Sequence, residues 1–171
     1  MKKEIESIIR VFAKRIYDIQ FEDMPAGTKN SAVDRDSRII SDFIGCEKEK
    51  VTHSTYFILK NCTMWSEAAI AMYEKLEGNH AARCHRGKSK HEFTIEHEYP
   101  LGIVKKMVQE KKFESVDHVI KYMKKYAVPV IVTLEEDAKL RTSCRTADTL
   151  EDAKDRYKKV GIKTRRFTDW K

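Results

Sequence analysis

F-T-I-E-H-E-Y-P-L, residues Phe93 to Leu101, is the stretch from which the fold of this 171-residue chain is read. Phe-Thr-Ile opens a strand by alternation, and the run then enters Glu96, His97 and Glu98 before Pro100 removes a backbone donor and ends pairing. A carboxylate beside an imidazole, three residues before a proline, places polar chemistry where a strand terminates. Glu96 is a hard oxygen ligand suited to magnesium or manganese, and His97, with a reference pKa of about 6.5, is the natural base at neutral pH. Hydrolysing a phosphodiester needs a nucleophilic water, a base to deprotonate it, and positive charge for the pentacovalent phosphorus and the departing oxygen. Neighbours in a regular strand point to opposite faces, so the chain is expected to leave the strand near His97.

Toward the C-terminus, Ser115 can cap a helix whose Val116, Val119, Ile120, Met123 and Tyr126 form one face, and Pro129 closes it. Val128 to Val132 then reads as a short buried strand. Thr133 stands three residues before Glu136, a T-x-x-E capping box, so a helix should start there and carry Asp137, Leu140 and Arg141. Thr149 can cap a last helix with Leu150, Ala153, Tyr157 and Val160 inward and Gly161 as its terminator. The order from Phe93 onward is strand, insertion, strand, helix, with a basic tail K-T-R-R-F-T-D-W-K.

Toward the N-terminus the pattern is helical. Ile5, Ile8, Ile9, Phe12, Ile16 and Ile19 have the spacing of one apolar helical face. Residues 23–31 hold Pro25, Gly27 and several turn formers and read as a loop, after which Ser31 or Asp34 could cap a helix to about Gly45. Further helical signals run from Val51 to Lys60 and from Ser66, a candidate cap, to Glu77. Composition changes at Gly78-Asn79-His80, which divides the chain into a helical subdomain, 1–77, and a second domain, 78–171. The expected class is α+β.

The net charge of +7 divides along the same line, with 12 Lys and Arg against 13 Asp and Glu in residues 1–77 and 22 against 14 beyond. A positive field confined to one part suits a phosphate backbone, although a solvated lysine-rich surface has the same composition. Cys46, Cys62, Cys84 and Cys144 form no C-x-x-C pair, and Cys84, His85, His91 and His97 match no standard zinc spacing. His91 and His97 are six apart rather than four, which excludes a zincin, and the chain has no G-x-S-x-G elbow or Gly-rich phosphate loop. No stretch has the roughly 18 apolar residues of a membrane helix, and M-K-K-E-I-E-S-I-I-R lacks the apolar run of a signal peptide, so a cytoplasmic protein with no membrane partner is expected.

E-H-E-Y-P-L resembles the first motif of the HNH endonucleases, an Asp-His or Glu-His pair with a Pro three residues after the His. The resemblance implies a ββα-metal core, here with a helical insertion of about 25 residues in its hairpin. It implies cleavage of DNA with Mg2+ or Mn2+, with Glu96 as metal ligand and His97 as general base, and it offers Asp137 as a second ligand where the family often has Asn. D-R-Y-K-K-V-G-I, with Arg156 and Tyr157, is similar to the tail of compact restriction- or phage-type members. The cysteine pairs that often clamp the family on zinc are missing. Arg83, Arg86, Lys88 and Lys90 precede the strand, and with Arg156 they are the expected nucleic-acid contacts. A homodimer would supply the two sites that double-strand cutting needs. The competing reading is a non-catalytic nucleic-acid-binding protein in which Glu96 and His97 end a strand in an ion pair, Glu136 only closes the capping box, and the basic C-terminal part grips the backbone.

Overall fold

The isoleucine spacing of the first segment forms the helix it predicts: α1 (Lys3–Ile19) buries Ile5, Ile9, Ala13 and Ile16 along one face. A computed structural model of the chain describes residues 3–45, 62–75, 92–143, 149–153 and 155–167. The helix expected over 51–60 and the basic residues Arg83, Arg86, Lys88 and Lys90 lie outside the described residues. α2 (Ala26–Ile44) begins earlier than expected, since residues 26–31 are helical and not a loop. Its cap is Pro25, held at φ −54° and ψ 140°, whose carbonyl accepts the N–H groups of Thr28 and Lys29 at 3.0 and 3.1 Å. Proline has no N–H to leave unpaired there, so the residue that marked a loop starts a helix. Ser31 bonds back to the Gly27 carbonyl at 2.9 Å instead of capping.

β1 (Met64–Ser66) leads directly into α3 (Glu67–Lys75), and Ser66 Oγ accepts the Ala69 N–H at 3.0 Å, the capping role read from the sequence. β2 (Phe93–His97) is followed by two helices, α4 (Leu101–Glu110) and α5 (Val116–Tyr126), where one was expected. In α4 the buried set is Ile103, Val104, Lys105 and Val108, so a lysine stem occupies a core-facing position and hides the apolar period. Ser115 caps α5 as predicted, its Oγ accepting from His118 N–H at 3.1 Å. β3 (Pro129–Thr133) is buried at every position and runs without a loop into α6 (Leu134–Ser143). The expected last helix is two short ones, α7 (Leu150–Ala153) and α8 (Arg156–Lys159); Gly161 then turns the chain at φ 75° into β4 (Thr164–Arg166).

The fold is α+β, with a mixed sheet in the order β2-β3-β1-β4. β2 is antiparallel to β3, β1 is parallel to β3, and β4 is antiparallel to β1. Packing crosses residue 78 twice. β1 lies between β3 and β4, and Ile5, Ile9, Ile16 and Ile40 of α1 and α2 share a core with Val104, Val108, Val119 and Met123 of α4 and α5. One sheet face carries Trp65, Ile70, Tyr73, Phe93, Ile131 and Phe167, and the other carries Val130, Val132, Leu140, Tyr157 and Ile162. The end of α2 meets the sheet closely, since a Cβ on Gly45 would come within 2.8 Å of the Pro129 ring. Among the described residues no helix is long and apolar enough to cross a membrane.

The capping box at the start of α6 forms as read: Glu136 N–H donates to Thr133 Oγ1 at 3.1 Å, and Thr133 N–H donates to Glu136 Oε2 at 2.9 Å. Glu136 Oε2 also accepts from Ser66 Oγ at 2.6 Å, so one buried carboxylate ties α6 to the end of β1. Glu136→Ala removes the acceptor for both and should destabilise by roughly 2–4 kcal/mol, read as a lower urea midpoint. An unchanged midpoint would mean that this network contributes nothing.

Candidate active site

Alternation along β2 sorts its polar residues. Glu96 is registered against Val130 and His97 against Pro129, so pairing continues through His97 and consecutive side chains leave opposite faces of the sheet. The chain was expected to leave the strand before this could happen. It bends one residue later, at Glu98 and Tyr99, and Pro100 then caps α4 with its carbonyl accepting from Ile103 N–H at 2.9 Å. Glu96 therefore faces α6 and α8, whereas His97 faces α2.

On the Glu96 side, Arg156 of α8 donates through Nη2 to Glu96 Oε2 at 2.8 Å, and the same oxygen accepts the His97 main-chain N–H at 3.3 Å. Arg156 was expected on a nucleic-acid surface. It is instead 6% exposed, buried as the partner of Glu96. Asp137 arrives from the first turn of α6 and is also buried. Its Oδ2 takes Arg141 Nε at 2.9 Å one turn along the helix, and its Oδ1 is buried with no hydrogen-bond partner among the described residues. Burial raises the Glu96 carboxyl above its ordinary value, Arg156 opposes this, and the neighbouring Asp137 charge and carboxyl contact raise it further. Two carboxylates have thus been brought against one another by β2 and α6. Such a pair is stabilised by sharing either a proton or a cation.

No protein-family model, curated protein or solved structure matches this chain. What the site can do is therefore read from its own geometry. Glu96 and Asp137 offer hard oxygen donors, and the orphaned Asp137 Oδ1 is an atom that a divalent cation would satisfy. Among the described residues no group of three His, Cys, Asp or Glu side chains is gathered, so these residues bring two carboxylates to the site. Magnesium is commonly held by one or two carboxylates with water and phosphate completing its shell. Cys84, His85 and His91 of the zinc grouping noted in the sequence lie outside the described residues.

On the other side, His97 Nε2 lies 2.7 Å from Ser41 Oγ of α2. Ser41 Oγ donates to the Ala127 carbonyl at 2.9 Å. Burial, and then the positive charges of Arg38, Arg156 and Lys105, push the His97 imidazole down to about 4, so it is neutral at physiological pH. Lys105 is held by Asp34 at 2.8 Å, and Arg38 is an exposed cation one turn of α2 before Ser41. Arg38 and Ser41 were not singled out from the sequence. The available signal was polarity at the buried α2 positions Asp36, Ser37 and Ser41 beside Val33 and Ile40.

Proposed function

We propose that this protein is a metal-dependent DNA endonuclease that hydrolyses phosphodiester bonds, with a ββα-metal-like core formed by β2, β3 and α6. The observation that carries the reading is the convergence of Glu96 from the first strand and Asp137 from the helix after the second, with a buried carboxylate oxygen that finds no hydrogen-bond donor among the described residues. Mg2+ or Mn2+ held by Glu96 and Asp137 would supply Lewis acidity to the phosphate. His97, neutral at the strand end, accepts the proton of the attacking water. Arg38 lies on the His97 side and adds positive charge for the phosphate, in keeping with the net charge of +7. In this reading the phosphate lies across the end of β2, with the metal on the Glu96 side and His97 on the other. A cytoplasmic restriction-type enzyme acting as a homodimer fits this chemistry.

The Glu96–Arg156 pair favours a second reading, since an arginine at 2.8 Å satisfies the carboxylate without a metal and leaves a non-catalytic nucleic-acid-binding protein. Incubating the full chain with supercoiled plasmid across a panel of divalent metals separates the two. Nicked or linear product under Mg2+ or Mn2+ supports the enzyme, and intact plasmid that is nonetheless retarded in a gel supports the binder.

Because Asp137 Oδ1 has no hydrogen-bond donor among the described residues, Asp137→Asn should weaken Mn2+ binding by at least the roughly 10–100-fold that loss of an outer-shell partner costs a metal site. Electron paramagnetic resonance counts free Mn2+ directly. Equal affinity in the variant and the parent would remove Asp137 from the site.

A further inference from the structure

We propose that Ser41, on helix α2 of the N-terminal half, is the positioning residue for His97: it fixes which imidazole nitrogen is protonated and which is presented to the reacting water. This rests on the reading of His97 as the base and adds a residue from outside the E-H-E-Y-P motif to the active site. Ser41 is fully buried, and its single hydroxyl proton is directed to the Ala127 carbonyl at 2.9 Å. With that proton committed, the oxygen can only accept at its 2.7 Å contact with His97, so Nε2 carries the hydrogen and Nδ1 keeps the lone pair.

The anchor is itself fixed from both sides. Ala127 is the residue that ends α5, and its N–H is bonded to the Met123 carbonyl at 2.8 Å, two residues before β3 begins at Pro129. The serine therefore ties together α2, the end of β2 and the turn between α5 and β3, which confines the ring as well as its tautomer. Among the described residues the hydrogen bonds of Ser41 go to His97 and the Ala127 carbonyl, so its effect on the chemistry passes through His97.

Ser37 supplies the control. It lies one turn earlier on the same helix, is equally buried, and its Oγ has no hydrogen-bond partner among the described residues. Ser37→Ala makes the same chemical change in α2 without touching the relay. Nitrogen-15 chemical shifts of the metal-free full chain read the His97 tautomer directly. The parent and Ser37→Ala should show Nε2–H, whereas Ser41→Ala should show a mixture of both tautomers, and Ser41→Thr, which keeps the hydroxyl, should restore the parent signal. In plasmid cleavage Ser41→Ala should lower kcat by on the order of 10- to 100-fold with KM nearly unchanged, since a general base contributes about 100- to 10,000-fold when correctly held. The same tautomer in Ser41→Ala and the parent would overturn the assignment, as would an unchanged kcat in a chain that cuts DNA. A parent that cuts no DNA would defeat the nuclease reading alone, because the tautomer measurement still decides the role of Ser41.

Discussion

His97→Ala should lose about 100- to 10,000-fold in cleavage rate while retaining DNA affinity and most of its stability. The direction follows from the role: a neutral imidazole at a strand end is already in the protonation state a base requires. Stability should largely survive because Ser41 keeps its bond to the Ala127 carbonyl when the ring is removed. A plasmid assay under Mg2+ or Mn2+, together with a gel-shift titration, measures both, and parental cutting by the variant would end this mechanism. The same residue has a signature in the metal-free chain. Its folded pKa of about 4 lies below the roughly 6.5 of the unfolded chain, so between these values the unfolded state binds more protons. The contribution of the neutral ring is complete above about pH 6.5 and is lost as pH falls toward 4. Urea midpoints should decline over that window in the parent and decline less in His97→Gln.

Trp65→Ala should be the most damaging single change to the fold, by roughly 3–5 kcal/mol. Trp65 is fully buried in the second residue of β1, with Tyr73, Phe93 and Phe167 edge-on around it at 5.7, 5.6 and 5.5 Å. Its indole Nε1 donates to the Cys62 carbonyl at 2.8 Å, so the polar end is satisfied as well. Those rings come from α3, β2 and the segment after β4, so truncation loosens three elements together. Chemical denaturation measures the loss, and a difference below about 1 kcal/mol would show that the ring cluster repacks around the void.

Legibility in the sequence followed the range of the interaction. Ser115 with His118, Ser66 with Ala69 and Thr133 with Glu136 are three-residue relationships, and each formed as read. β1 and β4 were missed because three residues cannot display a period, and both are strands only by virtue of their neighbours in the sheet. α2 was started late because Pro25 and Gly27 signal turns and helix starts alike. At the site, the motif drew Glu96, His97 and Asp137 to notice, but the divergence of the first two was visible only once β2 was registered against Pro129. Ser41 could not have been paired with His97 by inspection, since the contact spans 56 residues and depends on where α2 crosses the sheet.

The placement of β1 also governs how the molecule reaches its native state. Trp65 is registered against Ile131 on one side and Arg165 on the other, so the middle of the sheet assembles only from segments far apart along the chain. Helical hairpins such as α1 and α2 close quickly, on the microsecond scale, but loop-closure entropy delays contacts of this separation. Folding should therefore be biphasic, with early helical signal and a later burial of Trp65 fluorescence. Nascent chains lacking the last strand would expose one edge of β1 to intermolecular pairing.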